Sequence, residues 1–114
     1  GTGTVQGDTA ELEAIASFCD KYGKKATVIG NKGALGHAVF GAGVASVASA
    51  LRLMKGSSII GMAGLTNPRS TAPKVRLVSV ETEFVLNDDS LLLNCFGFGG
   101  SNVSMVLERI DDDR

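Results

Sequence analysis

One short segment of this chain brings together a cation and an imidazole. Lys32 and His37 lie in Lys-Gly-Ala-Leu-Gly-His, directly before the most apolar stretch of the sequence. A histidine held at a helix N-terminus is biased toward its neutral form, which donates one hydrogen bond to a carbonyl or enolate oxygen. The alternative is a loop that caps the helix and contains a structural histidine. The residue types alone leave both interpretations open.

The sequence does not support a disulfide scaffold, a multi-histidine metal site or a nucleotide site. Cys19 and Cys95 are too few for a disulfide scaffold, and a single His excludes a multi-histidine metal site. The Gly-rich segments do not have the strand and helix context of a nucleotide site. A net charge of −1 argues against nucleic acid as the main partner.

The length and composition favour one folded domain. The chain has 114 residues, of which 44% are hydrophobic, so a core can form. Its most apolar stretch, residues 38–55, is shorter than the ~20 residues of a membrane span and is rich in Ala, Gly and Ser. We therefore expect no membrane span, and a central helix that is buried inside the protein.

The hydrophobic pattern predicts an α/β order of elements. Residues 8–22 have the spacing of an amphipathic helix, with Asp8 and Glu11 as a capping box and Gly23 as its end. Leu12, Ile15, Cys19 and Tyr22 form the buried stripe of this helix. The other predicted elements are a strand over Ala26–Ile29, a loop over 30–37, the buried helix 38–55, strands over Val75–Val80 and Phe84–Leu86, and a hairpin of Leu91–Phe96 and Asn102–Glu108 around Gly97–Ser101.

Several motifs occur in an order that is typical of one family. They are Gly1-Thr2-Gly3-Thr4 with Gly7-Asp8 and Glu11, Lys32 with Gly36-His37, Gly41-Ala42-Gly43, Leu65 with Asn67-Pro68, and the run from Asn94 to Asn102. Together they resemble the C-terminal part of a β-ketoacyl synthase, the condensing enzyme of fatty-acid and polyketide synthesis. The resemblance implies a piece of a thiolase-like layered α/β/α/β/α fold, with the buried helix against a mixed sheet. Residues 1–114 would form the C-terminal domain, without the half that carries the nucleophile.

The resemblance also implies roles for individual residues. His37 and Lys32 would be catalytic in a decarboxylative Claisen condensation, in which malonyl thioester loses CO2 and attacks an acyl-enzyme. Phe96 would act as a gate and contribute to the oxyanion hole, and the Gly97 beside it would leave the backbone free to move. Phe98 is expected to be a core aromatic. Thr2, Thr4, Gly99 and Gly100 would line the site of the pantetheine arm and acyl chain.

The implied partners are an acyl carrier protein or acyl-CoA thioesters and the N-terminal half of the same synthase. That synthase would be a homodimeric acyltransferase in the cytoplasm or the matrix of a mitochondrion or plastid. No cofactor is implied beyond the phosphopantetheine arm of the substrate. The first catalytic His would directly precede Gly1, so this chain alone is expected to be inactive. The alternatives are a non-condensing, ketosynthase-like partner subunit that shapes chain length or assembly, and a coenzyme-A-using thiolase.

Overall fold

The computed structural model describes residues 1–56, 58–66, 68, 72–80 and 82–110. The chain forms two compact units, each made of two separate stretches of sequence. The first unit comprises Gly1–His37 and Ile60–Phe84, and the second comprises Ala38–Ile59 and Val85–Arg114. The Asn67 of the predicted motif and the acidic C-terminal tail lie outside the described residues.

The first unit begins with helix α1, Val5–Tyr22. It starts three residues before the predicted start, so the expected capping box is wrong: Asp8 lies in the first turn and is not the residue before the helix. The predicted end is confirmed. Gly23 has φ 64° and ψ 26°, and the Lys24 N–H donates to the Cys19 carbonyl over 2.9 Å. A left-handed residue of this kind favours glycine.

Two short parallel strands complete the core of this unit. Strand β1, Ala26–Val28, pairs with strand β3, Val75–Leu77, and β3 contacts α1. Cys19 is buried as predicted, together with Val75 and Val78. Tyr22 is exposed, so the buried stripe of α1 is shorter than its sequence pattern predicts. Strand β2, Ile59–Ile60, pairs with strand β4, Glu83–Phe84.

Helix α2, Lys32–Leu35, occupies part of the segment that was predicted to be a loop. It is a single turn, held by hydrogen bonds from the Leu35 N–H to the Asn31 carbonyl and from the Gly36 N–H to the Lys32 carbonyl. Four residues give too little periodicity for a sequence pattern to reveal a helix.

The second unit contains helix α3 and a hairpin. A 3₁₀ turn, Val39–Gly41, leads into α3, Ala42–Met54. Strand β5, Ser90–Phe96, pairs antiparallel with strand β6, Asn102–Glu108, as predicted. Arg109 joins the two parts: its guanidinium donates to the Met54 carbonyl and lies 3.7 Å from the Asp89 carboxylate.

Helix α3 is not buried on all sides. Ala50, Leu53 and Met54 are buried, whereas Val44 is 75% exposed and Leu51 is also exposed. The prediction of a fully buried central helix is therefore wrong for this chain. An 18-residue apolar run presents apolar groups around its whole circumference, and the described residues cover only one face of it.

The α/β class is confirmed in its mixture of helices and strands. Among the described residues, however, the strands form three two-stranded sheets instead of the single mixed sheet that was expected. Within those same ranges, no helix combines the length and apolarity needed to cross a bilayer.

Gly61 provides a test of the packing in the first unit. A Cβ at this position would lie 1.9 Å from the Ser79 carbonyl oxygen, so backbone atoms would have to move. We expect Gly61→Ala to destabilise the chain by about 2 kcal/mol or more, and to lower its steady-state amount in expressing cells several-fold. Gly43→Ala is the matched control, because its Cβ would make an ordinary 3.8 Å contact with the Cys95 sulfur. Equal amounts of both variants would contradict this packing.

The exposed apolar residues predict how the chain behaves alone. Phe40 and Val44 in the second unit are exposed, as is Val106 on β6. We expect the isolated 114 residues to bind a hydrophobic dye and to self-associate as concentration rises. Calorimetry and light scattering would measure this. A sharp two-state transition at low concentration without aggregation would contradict the expectation.

Candidate active-site residues

Helix α2, which begins at Lys32, approaches the backbone of a neighbouring loop at Gly33. Lys32 is the first residue of the turn and is partly buried. At the next position, a Cβ on Gly33 would lie 2.2 Å from the Ala63 carbonyl oxygen. Only glycine allows the turn to approach the loop this closely. The glycine that follows Lys32 therefore has a structural reason that the sequence does not reveal.

His37 lies immediately beyond the other end of the same turn. Gly36 ends α2 with φ 77° and ψ 167°, a conformation that favours glycine, and its N–H donates to the Lys32 carbonyl over 2.9 Å. The His37 side chain is exposed. The predicted start of the next helix at residue 38 is wrong: a 3₁₀ turn, Val39–Gly41, precedes α3, which begins at Ala42.

Thr2 and Thr4 lie in a loop that the Asp8 carboxylate holds at the start of α1. Asp8 accepts hydrogen bonds from the backbone N–H groups of Thr2 over 2.9 Å and Gly3 over 3.2 Å. The hydroxyl oxygens of Thr2 and Thr4 lie 3.2 Å apart, and both residues are exposed. A Cβ on Gly7 would lie 2.7 Å from the Thr4 hydroxyl oxygen. Asp8 thus holds the backbone of this loop, and Gly7 leaves room for the Thr4 hydroxyl group.

In the second unit, Phe96 is the last residue of β5 and pairs with Asn102. Its side chain is 58% exposed. Next to it on the same face of the hairpin, the Ser104 hydroxyl donates to the Asn94 side-chain oxygen over 2.8 Å. The Asn94–Ser104 pair precedes Phe96 and the hydrogen bond between Gly97 and Ser101 follows it, so the backbone at Phe96 is restrained.

The turn after Phe96 is built by glycine. The Gly97 N–H donates to the Ser101 carbonyl over 2.8 Å, which closes the turn at its base. Gly99 and Gly100 have φ values of 84° and 85°, in the left-handed region that other residues rarely adopt. Their place in the motif follows from this backbone conformation, whatever they contact.

Phe98 lies in this turn and its side chain is fully exposed. The prediction that Phe98 is a core aromatic is therefore wrong for this chain. Phe98 has a glycine on each side, Gly97 and Gly99, whereas Phe96 is preceded by Cys95. Within the turn, Phe98 has the largest side chain.

The candidate residues fall into two groups, one in each unit. Lys32, His37, Thr2 and Thr4 belong to the first, and Phe96, Gly99 and Gly100 belong to the second. In the first group, Lys32 begins the turn α2, and His37 follows Gly36 at the other end of that turn. Across the described residues, no group of three His, Cys, Asp or Glu side chains could hold a metal ion.

The sequence did not reveal that Asp8 holds the loop of Thr2 and Thr4, or that Gly7 and Gly33 lie at close approaches. A weak signal existed for Asp8, since a carboxylate that close to a Gly-Thr-Gly-Thr segment can accept backbone N–H groups. For the glycines, no local signal distinguishes a close approach from an ordinary helical position. The two cysteines lie elsewhere: Cys19 is in the core of the first unit, and Cys95 is partly buried on β5.

Comparison with known proteins finds relatives along almost the whole chain. It is 33% identical over 96% of its length to a highly reducing polyketide synthase 17 from Metarhizium anisopliae, of which it covers 4%. It is 32% identical over 96% of its length to 3-oxoacyl-[acyl-carrier-protein] synthase 1 from Buchnera aphidicola, of which it covers 26%. A probable polyketide synthase 17 from Dictyostelium discoideum is 34% identical over 94% of this chain, which covers 4% of that protein.

The chain thus spans about a quarter or less of these relatives. No solved structure matches it. The family model described as "Beta-ketoacyl synthase, C-terminal domain" matches residues 1–66. These include Lys32, His37 and the loop that contains Thr2 and Thr4, called here the threonine loop. Because this match covers more than half of the sequence, the chain belongs to the β-ketoacyl synthases, as part of their C-terminal domain.

Proposed function

We propose that this chain supplies the decarboxylation site and part of the acyl tunnel of a synthase that joins malonyl thioester to an acyl-enzyme. The observation that carries the proposal is the single turn α2, which fixes Lys32 at one end and leads into His37 at the other. The family of the chain supports the same reaction class. The proposed layering is that of a thiolase-like fold, completed by the other half of the synthase.

In this reaction His37 donates an N–H to the carbonyl oxygen of the malonyl thioester. The bond between the α-carbon and the carboxylate breaks, CO2 leaves, and the electron pair moves into an enolate whose oxygen His37 stabilises. The α-carbon then attacks the acyl thioester of the nucleophilic cysteine, and the thiolate leaves. That cysteine lies outside this chain in the proposal.

Lys32 contributes positive charge near the same oxygen atoms. It is partly buried, and charge interactions are stronger away from bulk water. Gly33 holds the turn against Ala63, which limits the positions open to the ammonium group. We assign Lys32 an electrostatic role and no proton transfer.

The hydroxyl groups of Thr2 and Thr4 are proposed to bind the amide-rich pantetheine arm of the substrate. Each hydroxyl group can donate one hydrogen bond and accept others, which suits alternating N–H and C=O groups. The arm arrives on an acyl carrier protein or on coenzyme A, and one relative, 3-oxoacyl-[acyl-carrier-protein] synthase 1, has the carrier protein in its name. We propose no resident cofactor. Gly99 and Gly100 line the acyl chain's path in this proposal.

We assign the gating motion to the turn after β5. The family motif implies Phe96 as the gate and as a backbone donor to the oxyanion. The restraints on Phe96 and the two glycines around Phe98 favour Phe98 as the side chain that moves. Phe96 then forms the fixed base of the turn, where the backbone N–H groups contribute to the oxyanion hole.

On this proposal, the chain is inactive without the other half of the synthase. That half brings the nucleophile and the first catalytic histidine, and the assembled enzyme is an acyltransferase that acts as a homodimer. The proposed compartment is the cytoplasm or an organelle matrix.

His37 is tested in the synthase that contains this chain. We expect His37→Ala to slow malonyl decarboxylation by about 10²–10³-fold, because one donor to the developing oxyanion is lost. Transfer of the acyl group to the cysteine should be kept, since it precedes decarboxylation. Radiolabelled CO2 release and acyl-enzyme formation measure the two steps separately.

Two controls accompany this variant. His37→Asn keeps an N–H donor and should lose less activity than His37→Ala. Lys55→Ala changes an exposed residue of the second unit and should leave both steps unchanged. Unchanged decarboxylation in His37→Ala would refute the role of His37 and favour the non-condensing partner subunit.

Phe98 and Phe96 can be separated by paired substitutions. We expect Phe98→Ala to reduce condensation about tenfold without lowering the temperature of unfolding, because the exposed ring makes little packing contact. Phe96→Ala should change condensation less. Steady-state kinetics and calorimetry on the synthase measure both effects. A kinetic defect confined to Phe96→Ala would return the gate to Phe96.

A further inference from the structure

The C-terminal end of α1 carries a concentration of positive charge that the proposed reaction does not use. The whole chain is nearly neutral, with 11 basic and 12 acidic residues, yet five of the basic residues lie in this region. The segments 17–27 and 72–77 contain only one acidic residue, Asp20. We call the five the basic cluster: Lys21, Lys24, Lys25, Lys74 and Arg76.

The fold brings the members of the basic cluster together from two parts of the chain. The Ala26 N–H donates to the Lys74 carbonyl over 2.9 Å, and Thr27 is the register partner of Arg76. The Lys74 ammonium lies 2.8 Å from the Asp20 carboxylate, so the acid within these two segments is already paired. The region as a whole therefore keeps a positive excess.

An exposed aromatic pair lies beside this charge. Phe18 and Tyr22 are 58% and 54% exposed, and their ring centroids are 4.8 Å apart. The Lys21 ammonium lies 5.1 Å from the centroid of the Tyr22 ring. Two large rings one helical turn apart present an apolar ridge that is flanked by cations.

We propose that this basic–aromatic patch, the aromatic pair together with the basic cluster, is a docking surface for an acidic amphipathic helix of a partner protein. Such a helix offers apolar side chains at a spacing of three or four residues to the ridge of Phe18 and Tyr22. Its flanking carboxylates pair with Lys21, Lys24 and Lys25. The proposal does not depend on the condensation reaction, because it uses none of that site's residues.

Charge and shape favour this occupant over two others. A phosphate backbone needs basic residues along its length, whereas this charge is confined to the end of α1 and the start of β3, beside a ridge of two rings on a helix. A lipid surface needs a broad apolar face, whereas this ridge consists of two rings among lysines. An acidic helix is complementary to both the rings and the lysines.

The test is a fluorescence anisotropy titration with the synthase that contains this chain. The probe is a labelled helical peptide of about 18 residues, with leucines at four-residue spacing and glutamates on either side. We expect Lys24→Glu combined with Lys25→Glu to weaken binding about tenfold at low salt, and the loss should shrink as salt rises. Phe18→Ala should weaken binding about fivefold at every salt concentration.

The matched control is Arg52→Glu combined with Lys55→Glu, an identical charge change at exposed residues of the second unit. It should bind the peptide as the parent does. Equal weakening by this control would overturn the proposal in favour of unspecific charge attraction. Preferential binding of a single-stranded RNA oligomer or of phosphatidylserine vesicles, lost in the Lys24 and Lys25 variant, would overturn it as well.

Discussion

Backbone packed directly on backbone is the constraint on which the first unit depends. At Gly33 and at Gly61 a single methyl group would meet a carbonyl oxygen of another segment. These two contacts fix α2 and the start of the second stretch of the unit without any large side chain. Lys32 and His37 take their positions from this arrangement, since both flank or belong to α2. The close approaches that hold the segment of these two candidate residues are therefore made at glycines, which have no side chains.

The loops that carry candidate residues differ between the two units in how their backbone is held. In the first, the Asp8 carboxylate holds two successive backbone N–H groups, so the threonine loop has little freedom. In the second, β5 and β6 are paired up to Phe96 and Asn102, and the turn beyond them relies on glycine. In the proposed function the site admits an acyl chain and then excludes water, which requires both properties.

Secondary-structure elements with a repeating hydrophobic pattern or a capping glycine could be predicted from the sequence. Close contacts between segments could not. The hairpin of β5 and β6, the end of α1 at Gly23 and the buried Cys19 follow from alternation, helix capping and hydrophobic spacing. The loop before α1 depends on hydrogen bonds to the Asp8 side chain, α2 is a single turn, and the role of Gly33 depends on its approach to Ala63. The sequence also predicted too much burial: Tyr22 and Phe98 have aromatic side chains that were expected in the core, and both are exposed.

The same contrast holds for the candidate site. Lys32 and His37 could be identified by their residue types and motif, but the turn α2 between them is too short to show a helical pattern in the sequence. Phe96 and Phe98 could be named from the motif. Only the structure shows that Phe96 is paired in the hairpin and that Phe98 lies exposed in the turn.

The two units interleave along the chain, and this affects how the protein can be made. Each unit consists of an early and a late stretch of sequence, so neither is complete before residue 84 has left the ribosome. The contact between Arg109 and Met54 closes a span of 55 residues in the second unit. During synthesis, α3 must wait with its apolar face uncovered until β5 and β6 emerge, which is the period when chaperones have most to protect. For the same reason, no single cut in the sequence separates one unit intact from the other, so exchanging parts between related synthases requires both to move together.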